Sequence, residues 1–131
     1  MITATQLVLH AIGDYVLQSD WMANEKTKSS WPALAHVVTY TLPFLVVTQK
    51  PIALAIVLGT HFVIDRWRLA RYVCWGKNQL LSPTSWKHPW SECVGTGYHK
   101  DRPPWMAVWL MIIADNTMHV LCNGLALHYF G

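Results

Sequence analysis

Three times in this sequence a histidine and an aspartate stand four residues apart inside an apolar stretch: His10 with Asp14, His61 with Asp65, and Asp115 with His119. On a helix, residues i and i+4 share a face, one turn apart. Each pair therefore predicts a polar stripe on a helix that is otherwise apolar. A further apolar stretch carries His36. An ionisable group at the centre of a membrane helix costs at least ~2.5–3.5 kcal/mol, so such residues turn inward and toward one another. That requirement restricts the chain more than any other feature.

Composition decides which solvent surrounds those helices. Charged residues make up only 13% of the 131 residues and hydrophobic residues 53%, whereas a soluble domain carries about a quarter charged residues. Eight tryptophans add the residue favoured where an apolar body meets a wet edge. The expected fold is all-α: an integral membrane four-helix bundle, one domain over residues 1–131. Spans are expected at about 3–18, 32–48, 51–72 and 104–129, each near the ~20 residues a crossing needs. Pro43 predicts a kink in the second span, and Pro51 suits a first helical position. A small soluble helical domain is the weaker reading, because the second to fourth segments leave too little polar face.

Between the third and fourth spans, about 74–103, the sequence changes character. Gly76, Pro83, Pro89, Gly95, Gly97 and Pro103 argue against a long helix. Trp75, Trp86 and Trp90 alternate with Lys77, Lys87 and Lys100, which predicts a Trp-, Pro- and Gly-rich loop on the cytoplasmic headgroup layer. Basic residues orient the chain. Lys26, Lys28, Arg66, Arg68, Arg71, Lys77, Lys87, Lys100 and Arg102 fall on one side and Lys50 on the other. Positive charge marks the cytoplasm, so a multi-pass protein of the bacterial inner membrane with both termini on the outer, periplasmic side is expected. The start lacks a basic n-region, so no cleavable signal peptide is expected. Cys74, Cys93 and Cys122 form no CxxC pair and suggest neither a disulfide framework nor a cysteine zinc site. A net charge of +3 is too small to suggest nucleic acid.

With antiparallel helices, Asp14, His36, His61 and Asp65 fall within roughly one to three turns of the cytoplasmic ends, with Asp115 and His119 deeper. Imidazole and carboxylate together suit zinc, with manganese or iron as alternatives. The expected metal set is His10, Asp14, His36, His61, Asp65, Asp115 and His119. Asp14, Asp65 and Asp115 are the catalytic candidates, and Gln18 and Asn116 orient ligands from behind. Arg66, Arg68 and Arg71, just beyond the third span, are candidates for an anionic headgroup, although plain cytoplasmic anchoring explains them more simply. Each piece also has a bland reading: a lone His36 hydrogen-bonded to a neighbouring helix, or a pair that satisfies itself.

The runs LVLHAIGDYVLQSDWMANEK, LAHVVTYTL, LGTHFVIDRWR and ADNTMH resemble a family of small bacterial and phage inner-membrane proteins, the domain of unknown function 3307. Its pattern falls on His10, Gly13, Asp14, Tyr15 and Gln18, on His36, on His61 and Asp65, and on Asp115, Asn116 and His119. Asn116 departs from the glutamine often found there. The resemblance covers the four helices and leaves out the Trp-rich loop. It implies a fold and a site, but no established activity; a looser likeness connects it to small membrane proteins described as metal-dependent hydrolases.

Two kinds of function are expected. One is a membrane-embedded metal-dependent hydrolase acting on a lipid-linked or phosphorylated amphiphile from the cytoplasmic leaflet. The other is a non-enzymatic small membrane protein, of phage origin as the resemblance allows, that binds or inhibits a host membrane partner, its His/Asp cluster a structural or ion-binding network. An ion or proton pathway is a third and weaker expectation, since it needs an oligomer to line a pore; self-association of the chain is left open.

Overall fold

The computed structural model describes residues 2–131, whose regular elements are all helices, with no strand among them. Six α-helices follow in order: α1 (Ala4–Ala11), α2 (Asp20–Glu25), α3 (Ser30–Thr41), α4 (Pro51–Arg66), α5 (Ala70–Leu81) and α6 (Pro104–Phe130). α1 continues as a π-helical turn over Ile12–Val16, and α3 tightens into a 3-10 turn over Leu42–Val46. The all-helical class is as expected. Among the described residues, α6 is the one helix long and apolar enough to cross a membrane by length and composition.

Local chemistry sets the helix ends. The Thr3 hydroxyl accepts from the Gln6 amide at 3.2 Å, and the Ser19 hydroxyl from the Met22 amide at 3.3 Å, each satisfying a donor that a first turn leaves orphaned. Pro51 opens α4, where its missing N–H costs nothing. Pro43 falls where α3 narrows into its 3-10 turn, so the expected bend takes that form. The expected third helix, 51–72, divides: α4 ends at Arg66, Arg68 adopts a left-handed φ of 49°, and α5 starts at Ala70. No glycine or proline marks that break.

The chain forms two compact units: residues up to Trp67 with 118–131, and Arg68–Thr117. The interior of the first unit is polar. Gln6, His10, Asp14, His36, His61, Asp65, His119 and Asn123 are buried there, beside an apolar cluster of Leu9, Tyr40, Phe44, Val57 and Ala126. Its outside is apolar, with Val8, Val16, Val46 and Ile52 between 57% and 81% exposed. That inverts the usual soluble arrangement. Helical threonines bond back to their own helix, as Thr41 does to the Val37 carbonyl at 2.7 Å and Thr60 to that of Ile56 at 2.8 Å, which satisfies a hydroxyl without water. Gly13 in the π turn lies against the Tyr40 ring so closely that a Cβ would collide with it.

In the second unit, α5 occupies part of the expected 74–103 loop, and the rest folds back onto it. The Trp75 indole donates to the His88 carbonyl at 3.3 Å, and the Gln79 amide to the carbonyls of Ser85 (3.1 Å) and His88 (3.2 Å). Tyr72 and Trp90 stack with centroids 4.6 Å apart under the Arg71 guanidinium. Gly97, at φ +83°, packs against the Arg71 carbonyl where a side chain has no room. His99 and Lys100 hold the Glu92 carboxylate at 2.9 and 3.1 Å, keeping its pKa below the ordinary glutamate range. A loop dense in glycine and proline is thus ordered by its aromatics and amides.

Candidate metal centre

Four side chains of the first unit converge on one point. The π turn supplies Asp14, α3 supplies His36, and α4 supplies His61 and Asp65 one turn apart. The Nε2 atoms of His36 and His61 are 3.0 Å apart. Each lies 3.2 Å from Asp14 Oδ1 and 3.1 Å from Asp65 Oδ2. These are five of the six edges of a tetrahedron, and the sixth is no longer than 4.8 Å. All four residues are buried, His36 and His61 to within 1%.

With both carboxylates ionised, hydrogen bonds alone leave that geometry unsatisfied. Ionised carboxylate oxygens only accept, and a neutral imidazole Nε2 either carries one proton or presents one lone pair. If both nitrogens carry protons, the 3.0 Å contact between them is donor against donor. If one does not, its lone pair faces two carboxylate oxygens. One cation at the centre satisfies every corner at once. The buried Nδ1 atoms of His36 and His61 have no hydrogen-bond partner in the protein, so no protein group commits the proton to Nε2. With a sixth edge at least as long, five edges of 3.0–3.2 Å put the corners about 1.9 Å or more from a common centre, which admits the ~2.0–2.2 Å of zinc to nitrogen and oxygen. The buried aspartates and histidines could hold a metal ion.

A second layer braces the first. His119 Nε2 is 3.3 Å from Asp65 Oδ1, and His10 Nε2 is 3.5 Å from Asp14 Oδ2. Each carboxylate thus meets the quartet with one oxygen and an outer histidine with the other. The Asn123 amide donates to the Tyr40 hydroxyl at 2.6 Å, and that hydroxyl lies 2.8 Å from His10 Nδ1. With the Tyr40 hydroxyl donating to His10 Nδ1, the other ring nitrogen carries the imidazole proton toward Asp14. The His61 ring is held between Tyr40 and His119, with centroids at 3.7 and 3.8 Å. The Lys26 ammonium reaches Asp65 Oδ2 at 2.8 Å.

Of the residues singled out in the sequence, Asp14, His36, His61 and Asp65 form the quartet, and His10 and His119 stand against its carboxylates. Asp115 and Asn116 are half-buried on the part of α6 that belongs to the second unit, and the Asn116 amide donates to the Ile112 carbonyl at 2.7 Å. The Gln18 amide donates to the Asp14 backbone carbonyl at 3.0 Å, bracing the π turn. Arg66 bonds the Thr27 carbonyl at 2.7 Å and the Lys28 carbonyl at 3.3 Å, which fixes the connection that carries Lys26. Arg71 donates to the Val94 carbonyl at 3.1 Å, and Arg68 lies 3.8 Å from Met111 Sδ. Sequence reasoning missed Gln6, Lys26, Tyr40 and Asn123. Three of them carry the signal used for the rest: Gln6 precedes His10 by four, Tyr40 follows His36 by four, and Asn123 follows His119 by four.

The fold and the cluster define a small all-helical protein with a buried two-histidine, two-aspartate centre. The chain belongs to the family described as "Protein of unknown function (DUF3307)", whose model matches residues 2–90. The match includes the whole quartet and Lys26. It runs into the Trp-rich segment and ends before α6, whereas the resemblance in the sequence spans the four helices without that segment. No curated protein and no solved structure matches the chain.

Proposed function

We propose that the protein is a membrane-embedded, metal-dependent hydrolase whose centre is Asp14, His36, His61 and Asp65, with zinc as the bound ion. The single observation that carries this reading is the convergence of four buried ligand atoms, five of whose six separations are 3.0–3.2 Å and all of which lie within 4.8 Å of one another. Imidazole donors disfavour magnesium and calcium, and a centre of this size and symmetry favours zinc, with manganese or iron behind it. When bound, such an ion lowers the pKa of a water and polarises a phosphoryl or acyl oxygen. The protein groups do the rest. His10 and His119 hold the two carboxylates at their outer oxygens. Asp65 accepts a proton from the attacking water as its oxygen bonds to phosphorus or carbonyl carbon; that proton passes to the leaving oxygen as its bond breaks.

The apolar exterior of the first unit supports a lipid environment. α4 has 16 residues, and α3 with its 3-10 turn covers 30–46. Both fall short of the ~20 of a full crossing, a mismatch that local bilayer thinning accommodates. The charge asymmetry supports an inner-membrane protein with both ends outward and the centre in the cytoplasmic half. An amphiphilic phosphate or acyl ester from that leaflet is the substrate class this setting favours.

The test is purification in detergent without added metal, elemental analysis, and hydrolysis of a panel of lipid phosphates and acyl esters by wild type and His61→Ala. About one zinc per chain and turnover that His61→Ala abolishes are expected. No bound transition metal, or a His61→Ala variant as active as wild type, overturns the proposal.

A further inference from the structure

We propose that Lys26 makes Asp65 the weak corner of the tetrahedron, so that His36, His61 and Asp14 are the lasting ligands and the Asp65 corner is the one that opens. The inference rests on the metal reading above and deepens it.

By ligand geometry the two carboxylates are near equivalents, each presenting one oxygen at 3.1–3.2 Å to both Nε2 atoms. Their other partners differ. Asp14 turns its outer oxygen to His10 at 3.5 Å. Asp65 has His119 at 3.3 Å on its outer oxygen and the Lys26 ammonium at 2.8 Å on Oδ2, the corner oxygen itself. An ammonium hydrogen-bonded to a ligand oxygen draws charge from it and repels a dication sharing that oxygen. Asp65 is therefore the poorer donor.

The lysine is held there. Lys26 caps the end of α2, and the guanidinium of Arg66, the residue after Asp65, bonds the carbonyls of Thr27 and Lys28. The connection and the end of α4 are thereby clamped on both sides of the ion pair. The lysine side chain is 17% exposed while that of Asp65 is 3% exposed, so Lys26 lies on the solvent side of this corner. Three lasting ligands with a fourth position that opens is the pattern of catalytic rather than structural zinc. An anionic substrate oxygen approaching that position meets the ammonium first. Lys26 is on this account a positioning residue.

Cobalt(II) replaces zinc as a coloured probe, since four-coordinate cobalt absorbs visible light far more strongly than five- or six-coordinate cobalt. Purified full-length protein, stripped and reloaded with cobalt, is titrated against a chelator in wild type, Lys26→Met, Lys26→Arg, Asp14→Asn and Asp65→Asn. Lys26→Met is expected to bind cobalt about tenfold more tightly and absorb more strongly, Lys26→Arg to match wild type, and Asp14→Asn to weaken binding about tenfold more than Asp65→Asn, within the range that outer partners command. The aspartate pair decides the matter if Lys26→Met does not fold. Equal or weaker binding with an unchanged spectrum in Lys26→Met, or Asp65→Asn as damaging as Asp14→Asn, overturns the role of Lys26 and leaves the metal centre standing. A wild type that binds no cobalt overturns both.

Discussion

Replacing histidines one at a time separates the two layers of the centre. His36 and His61 supply two corners of the tetrahedron, whereas the ring nitrogens of His10 and His119 meet the outer oxygens of Asp14 and Asp65, and the His119 ring stacks on that of His61. A four-ligand zinc site of this kind is worth about 10–16 kcal/mol in small peptides, so one corner carries about 2.5–4 kcal/mol. At 1.4 kcal/mol per tenfold, His36→Ala and His61→Ala should each weaken zinc binding by roughly two to three decades. An outer partner commands about 10–100-fold, so His10→Ala and His119→Ala should fall short of that loss. The assay is chelator competition on detergent-purified protein, with all four variants first shown to retain their helical circular dichroism. The order is the prediction. An outer variant that loses as much as His61→Ala would refute the two-layer reasoning and make that histidine a ligand.

Gly13→Ala places a methyl group against the buried Tyr40 ring. Overpacking of about 1–3 kcal/mol should exceed the ~1 kcal/mol that alanine gains in a helix, so the thermal midpoint falls; a rise would show that the ring yields. Tyr40→Phe removes the hydroxyl that accepts from Asn123 at 2.6 Å and meets His10 at 2.8 Å. It should destabilise by about 1–3 kcal/mol and weaken zinc binding about tenfold through His10, both read from chelator competition and unfolding midpoints; unchanged binding would disconnect Tyr40 from the centre. Glu92 carries a depressed pKa because His99, and then Lys100, bond its carboxylate. Its contribution is present above the unfolded-state pKa and disappears as the pH falls through the folded value. The stability difference between wild type and Glu92→Gln should therefore shrink toward acid in melts across pH 2–7; a difference that grows toward acid would contradict the pairing.

How much of this was legible in the sequence depended on which residues act along one helix and which act across the fold. The i,i+4 spacing found Asp14, His61 and Asp65, and the same spacing extended one step reaches Gln6, Tyr40 and Asn123. It could not say which member of a pair occupies the inner layer. Asp14 reaches the centre from a π turn, and His10, one turn earlier, stops at its outer oxygen. That division is a matter of where neighbouring helices leave room. Lys26 was read as a charge that orients the chain, and its contact with Asp65 spans 39 residues, with nothing in the local pattern to announce it. The break at Arg68 was hidden for a similar reason, since a left-handed non-glycine residue is tolerated only where tertiary contacts over-determine it. The expected span bounds run past the helix ends, because hydrophobicity continues through stretches that the backbone interrupts at Val16, Val46 and Trp67.

The polar interior gives one further reason to expect a cation. Two buried aspartates face two buried imidazoles at 3.1–3.2 Å, and the Lys26 ammonium bonds only the corner oxygen of Asp65. Burying charge without a matched partner costs several kcal/mol per ion. A chain in which Val16 and Val46 are more than 70% exposed has little apolar burial from which to offset that. The 3.0 Å contact between the two imidazole nitrogens is a hydrogen bond only when one of them carries a proton and the other does not, and the bare nitrogen then faces the carboxylate oxygens. A dication at the centre resolves both, so metal binding and folding of the first unit should be coupled. Stripping the metal should lower the unfolding midpoint, by about 2.7 kcal/mol of lost stability relative to a solution at a hundred times the dissociation constant. Magnesium, which prefers oxygen donors in an octahedron, should not restore it.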